Sequence, residues 1–463
     1  MPTIPKIKVL TNTSVDVLNA IRNSATTSYR DYVPIATPDA ESIKEIGNII
    51  MDYPALQNEF LNVLINRIGK VIITSKMFAN PWAAFKQGIL NYGETIEEIY
   101  VNLIKSFQFD PGVAESEVFK REKPDVRSAF HILNYKKFYK VTIEQEQLRQ
   151  AFLSFDGINN LVTKIIEQIY TSANYDEFNV MKYMVGKMLL DGRLYPVTVP
   201  QVTTANMRGI VSKIKGTSNR FEFMSSEYNV AGVANHALKE NQYLLVSSEF
   251  DAEADVEVLA MAFNMNKAEF MGHKVLLDSF GTLDWERLDD LFSGDDNYSH
   301  FTAAEIAALD TIPAVLVTDN WFMVYDNLNE FRDQQNGQGL YWNYFYHVWK
   351  TFSVSPFANA AVFVPATPTV TSVTVTPATV TISAGGSANF TAAVVASGFA
   401  PKDVTWSVDA TAAAAGVKIN GSGYLTVPAD ASVASVTVTA TSTFDSTKTD
   451  TATVTVTGGN TAF

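Results

Sequence analysis

Apolar residues recur at helical spacing through one long stretch of the chain: Leu161, Ile165, Ile169, then Phe178, Met181, Met184, Val185 and Met188. The spacing predicts a helix over 157–190, with Asp156 as a candidate N-cap and Gly192 ending it. At 1.5 Å per residue it would be roughly 50 Å long, more than a compact domain needs. A different period governs the C-terminal part. Val373–Thr376, Val404–Val408, Val436–Thr439 and Thr451–Val456 alternate apolar and polar residues, with turn signals at Ala384-Gly385-Gly386, Asn420-Gly421 and Pro428-Ala429-Asp430. Short alternating strands at this spacing predict an all-β sandwich. Between about 242 and 317 the pattern mixes the two. Tyr243–Val246 and Lys274–Leu277 read as strands, and a helix starting at Asp255 would carry Val256, Leu259 and Phe263 inward. Leu340–Val364 reads as an aromatic-rich strand region, and Gly88–Thr142 as an extended excursion.

Composition adds a boundary. After Ala366 the chain turns to Thr, Val, Ala and Ser, with Leu425 its one leucine and Trp406 its one tryptophan. Prolines at 365 and 368 break any central strand there. A larger body over 1–364, a linker over 365–370 and a tail over 371–457 follow, with Trp406 as the expected core tryptophan of the tail. The fold class is α+β, followed by an all-β module.

Charge narrows the chemistry. The formal net charge of -14 opposes the wrapping of nucleic acid, which needs Lys and Arg against phosphate. It remains compatible with a wall that encloses nucleic acid without adhering to it. With no cysteine, disulfides, thiolate metal sites and cysteine nucleophiles are excluded. Neither an apolar signal segment near Met1–Leu10 nor a run of about 18 apolar residues is present, so no secretory or membrane segment is expected. Against this acidic background one basic cluster stands out in the excursion: Lys120, Arg121, Lys123, Arg127, Lys136, Lys137 and Lys140. Such a cluster suits the surface of an acidic neighbour, and the first six are candidate subunit-interface residues. The competing reading is a solvated loop.

Other constellations carry less. Asp251, Glu253, Asp255 and Glu257 would share one face of a strand and could hold a hard cation; the alternative is an acidic helix start. The five histidines, at 131, 236, 273, 300 and 347, form no ligand spacing. The aromatic run Tyr341–Trp349 could stack bases, but its alternation suits a strand packed on both faces. Motifs of hydrolases, P-loops and dinucleotide folds are missing, so no catalytic or cofactor-binding residue is assigned.

Four strings resemble one family: Gly93–Tyr100 (GETIEEIY), Asp255–Asn264 (DVEVLAMAFN), Asp319–Leu328 (DNWFMVYDNL) and Gly339–Trp349 (GLYWNYFYHVW). They resemble the major capsid proteins of the phi-29-like short-tailed bacteriophages, and the likeness runs over most of 14–364. It is weakest over Val197–Tyr243, and Leu283–Phe301 reads as an insertion. The resemblance implies the Johnson, or Hong Kong 97-like, fold. Residues 1–50 would form the N-terminal arm and 88–142 the extended loop. Residues 157–190 would form the spine helix, 200–315 the axial domain and 321–364 the peripheral strands. It implies pentamers and hexamers tiling an icosahedral or prolate shell around double-stranded DNA, a separate scaffolding protein, a portal protein and no cofactor. Localisation would be the virion, after assembly in the host cytoplasm. The tail resembles the bacterial immunoglobulin-like group 2 domain through Val373–Pro377, Gly385-Gly386, Val404–Val408 and Gly421–Leu425. The rival reading is an extracellular adhesin or cell-wall-binding protein that carries such a module. A fibre protein would show repetitive sequence, and none is present.

Overall fold

A computed structural model describes residues 14–68, 78–91, 95–109, 112, 121–153, 157–254 and 273–458. In chain order, α1 (Ser14–Ser24), α2 (Thr27–Tyr32), α3 (Ala40–Asp52) and α4 (Pro54–Ile68) come first. Strands β1 (Lys86–Ile89), β2 (Ile96–Val101), β3 (Val126–His131) and β4 (Tyr135–Glu144) follow, then α5 (Gln145–Ala151) and α6 (Gly157–Leu190). Next are β5 (Tyr195–Thr198), α7 (Met207–Phe221), β6 (Gln242–Ser247), β7 (His273–Leu277), α8 (Trp285–Phe292), α9 (Ala303–Asp310) and β8 (Ala314–Thr318). Strands β9 (Phe322–Asn336), β10 (Tyr341–Val354) and β11 (Ala360–Val364) complete the body. The tail holds β12 (Thr369–Thr376), β13 (Thr379–Ser383), β14 (Ser387–Asn389), β15 (Thr391–Ser397), β16 (Val404–Val408), α10 (Ala410–Ala414), β17 (Lys418–Ile419), β18 (Tyr424–Thr426), β19 (Ser435–Ser442) and β20 (Thr449–Thr457).

The chain divides into two compact units: one of residues 1–96, 131–179 and 323–353, the other of 97–130, 180–322 and 354–463. The tail therefore groups with the second unit. Helix α6 spans the residues expected of the long helix, but its residues up to Asn179 belong to the first unit and those from Val180 to the second. Its end has the geometry that Gly192 predicts. Gly192 takes φ +68°, and the Arg193 amide donates back to the Met188 carbonyl, satisfying a group the helix leaves open. The expected cap Asp156 lies outside the described residues.

In the first unit, β1, β9, β10 and β4 form a mixed sheet in that order. Strand β10 pairs antiparallel with β4 from Tyr341↔Glu144 to Lys350↔Tyr135. The aromatic run was expected to pack on both faces. Trp342, Tyr344, Tyr346 and Val348 are buried and Tyr341, Asn343, Phe345 and His347 half-buried, so one face is covered more fully than the other. Helix α3 buries Ile43, Ile46 and Ile50, one stripe of a 3.6-residue period. Gly47 lies so close to the Phe152 side chain that a Cβ would sit 2.5 Å from the Phe152 Cβ, and the Phe152 ring also meets that of Phe60 at 5.5 Å between centroids.

In the second unit, β5, β11, β8, β6 and β7 form a five-stranded sheet in that order. All five residues of β8 and of β11 are buried, as continuous apolar runs covered on both faces require. One face packs Leu244, Val246, Leu316 and Phe363 against Met207, Ile210, Ile214 and Phe221 of α7. Residues 248–254, ahead of the helix expected from Asp255, are helical, with Phe250 drawn into that core. Asp255, Val256, Leu259 and Phe263 of the expected helix lie outside the described residues.

The tail's strands surround one apolar cluster centred on Phe390, Leu425, Val436, Val438 and Val454, each fully buried or nearly so. Trp406 packs against this cluster but is only half-buried, its ring centroid 6.4 Å from that of Phe390; Phe390 is the fully buried aromatic residue. Strand β12 already pairs Thr369 with Ser397, so the last two residues of the expected linker belong to the tail's sheet.

Candidate assembly surfaces

Strands β2 and β3 pair with each other as a two-stranded ribbon. Its base is anchored within the second unit. The Tyr100 hydroxyl donates to the Ala234 carbonyl, Tyr100 stacks on Phe357 at 5.6 Å, and the Ser355 hydroxyl donates to Glu98 at 2.8 Å. The rest of the ribbon and the chain beyond β2 carry apolar side chains into solvent. Ile99, Val101, Leu103, Phe107, Val126 and Phe130 are more than half exposed, Ile104 is 79% exposed and Phe109 91%. An apolar face of this density on an isolated subunit marks a surface that a partner covers.

The basic candidates separate. Arg127 forms an ion pair with Asp125 at 3.2 Å and donates to the Ala231 carbonyl, so its charge is spent locally. That pair holds the Asp125 carboxyl below its usual range, with help from the Asn102 amide. Arg121 and Lys123 are exposed and form no ion pair with any described residue. Lys120 lies outside the described residues. Lys136 and Lys137 sit on β4 in the first unit, on opposite faces of the strand. Lys136 lies over the Trp349 ring, 5.1 Å from its centroid, and Lys140 over Phe345 at 6.0 Å. The five described candidates are therefore divided between the two units. What sequence reasoning missed is the apolar content of the same excursion, legible as the alternation of Ile99, Val101 and Leu103.

A buried charge cluster in the first unit was also not anticipated. Lys350 on β10 pairs with Glu177 of α6 and, at 2.8 Å, with Asp326 of β9. Lys86 on β1 pairs with Asp326 at 2.6 Å and Glu177 at 3.2 Å, and the Asn80 amide donates to Glu177 at 2.6 Å. Two cations and two carboxylates cancel, which is what burial demands of charges. Burial pushes the Asp326 carboxyl up, but Lys350 and Lys86 outweigh it and hold it below its usual range. For Lys86, burial works downward and the two carboxylates outweigh it upward. The cluster ties three strands to the helix. It carried no sequence signal, because its members lie up to 264 residues apart in the numbering, from Lys86 to Lys350.

The described half of the acidic run is not on a strand. Asp251 and Glu253 lie in the helical stretch 248–254, and Asp251 takes two bonds from Lys274 at 2.7 and 2.9 Å. Asp255 and Glu257 lie outside the described residues. No cluster of metal-ligating side chains occurs among the described residues, and no described helix is long and apolar enough to cross a membrane.

Known proteins are similar over nearly the whole chain. A family model, the Phi29-like phage major capsid protein, matches residues 18–364. The major capsid protein of Bacillus phage PZA is 38% identical over 419 residues, covering 89% of this chain and 87% of that protein. That of Bacillus phage B103 is 37% identical, covering 90% and 87%. That of Streptococcus phage Cp-1 is 28% identical and covers 75% and 93%. The first two alignments span more of the chain than residues 1–364 supply, so they reach into the tail. Among solved structures, the capsid structure of Staphylococcus phage Andhra superposes with a TM-score of 0.50 at 13% identity, over 64% of this chain and 87% of that one, a likeness of fold alone. An anchored ribbon with an uncovered apolar face, and relatives all named as shell proteins, lead to one conclusion: the chain belongs to the family of Phi29-like phage major capsid proteins.

Proposed function

We propose that copies of this chain associate as pentamers and hexamers into an icosahedral or prolate head shell enclosing double-stranded DNA. The exposed apolar side of the β2–β3 excursion carries this reading. At about 1.5–3 kcal/mol for each large apolar side chain taken from water, covering several of them against a second copy is ample to drive association. In the Hong Kong 97-like assignment, 88–142 is the extended loop, 157–190 the spine helix, 200–315 the axial domain and 321–364 the peripheral strands, with the arm in 1–50. The aliphatic core and alternating strands of the tail support a bacterial immunoglobulin-like group 2 domain that braces capsomers. The net charge of -14 suits DNA held without specific contacts, and a separate scaffolding protein and a portal complete the set of partners.

The test is the double variant Leu103→Asp, Phe109→Asp. Both side chains are exposed in the subunit, so circular dichroism should be unchanged while electron micrographs show no shells. Shells in normal yield would refute the reading.

A further inference from the structure

The tail meets the rest of its unit at the end of α6, through the turn between β15 and β16. Gly398 and Phe399 are consecutive left-handed residues there, with φ +62° and +60°. For a bulky side chain such as Phe399 that conformation is strained and persists only where its surroundings enforce it. On one side the turn packs on the preceding connection: a Cβ on Gly398 would lie 2.8 Å from the Thr367 carbonyl oxygen and 2.9 Å from Pro368. The Thr369 and Ser397 hydroxyls bond at 2.7 Å beside it. On the other side it packs on the helix end. A Cβ on Gly192 would lie 2.5 Å from the Ala400 carbonyl oxygen and 3.0 Å from Pro401.

Charges fix the orientation of this contact. The Lys402 ammonium donates to the Leu190 carbonyl at 2.7 Å. That carbonyl is among the last four of α6, which the helix leaves without internal partners, and a cation there also faces the negative end of the helix dipole. Next to it, Arg193 pairs with Asp403 at 2.6 Å. The Asp403 backbone carbonyl in turn accepts from the Thr443 amide and hydroxyl, both at 3.0 Å, which ties the contact to the end of the neighbouring strand β19.

We infer that the tail is a rigidly mounted strut: the face made by Leu190, Gly192 and Arg193 is a docking surface for the 398–403 turn of the same chain, and residues 365–368 are not a hinge. Contacts the tail makes with other molecules then act directly on the end of α6. The inference holds whether or not the tail braces a shell, since it concerns one subunit.

The absence of cysteine allows a clean measurement. Spin labels on Lys213→Cys in α7 and Thr453→Cys in β20, both exposed, report the separation of tail and body in full-length subunits diluted into an excess of unlabelled ones. The expected result is a single narrow distance distribution. In the background Arg193→Asp, Lys402→Glu it should broaden about two-fold, because an enforced contact gives way to an ensemble. The charge swap Arg193→Asp, Asp403→Arg should restore the narrow width. A variant Gly192→Val wedges the contact without touching a charge and should broaden it too. A broad distribution in the native chain overturns the inference, and so does a narrow one in every variant.

Discussion

The tail and the β2–β3 ribbon are both built of short alternating strands within one unit, yet they treat their apolar residues in opposite ways. Along β19, Val436, Val438 and Ala440 are fully buried while their neighbours face out, because opposing strands close over them. Along β2, Ile99 and Val101 are exposed although the alternation is the same. The ribbon has no second layer to close over its Ile99–Val101 face, and two-stranded ribbons are at best marginal alone. One region completes its core within the chain; the other can complete it only with material from outside. The family's role as shell proteins supplies that material as further copies.

The comparison can be broken most forcefully from the tail's side. Phe390→Ala removes a fully buried ring and should cost the tail about 3–5 kcal/mol in denaturant unfolding. A loss below about 1 kcal/mol would mean that the tail has no core of its own in the sense argued here. The mirror experiment takes Ile104→Ala with Phe107→Ala. In dissociated subunits the stability should stay within about 0.5 kcal/mol of the parent, as for exposed positions generally. Light scattering should nevertheless show the concentration needed for assembly rising about tenfold or more, since each truncation removes 1 kcal/mol or more of intersubunit burial. If stability falls and the assembly threshold does not move, the ribbon is an ordinary part of the fold. The smallest effect belongs to the charges. Arg121→Ser with Lys123→Ser should slow assembly mainly at low ionic strength and become indistinguishable from the parent in high salt, because exposed charges steer encounters and are screened. An equal defect at all salt concentrations would assign these two residues to the packed part of the interface.

Among the basic residues, proximity in sequence does not become membership of one unit. Arg121, Lys123, Arg127, Lys136 and Lys137 lie within 17 positions, but Arg127 is neutralised by Asp125, and the two lysines belong to a strand of the other unit. Charge density along a chain says nothing about which carboxylates fold back onto it. The apolar signal of the same excursion was readable and was the more informative, because hydrophobic residues without a helical or closed-sheet context have few intramolecular destinations.

By itself the sequence determined what depends on local periodicity and chemistry. Helix α6 ends where Gly192 supplies a left-handed residue, and β16 occupies Val404–Val408, where Val, Thr and Trp alternate. The family strings lie in this same category, since they are runs of adjacent residues. Only the tertiary structure decided what depends on residues far apart in the numbering. It brought Lys86, Glu177, Asp326 and Lys350 into one buried neutral cluster. It also made Phe390, not Trp406, the fully buried aromatic of the tail, and it set the 398–403 turn on the end of α6. Burial and ion pairing are properties of what surrounds a side chain. For these residues the surroundings come from strands and helices that no local pattern connects.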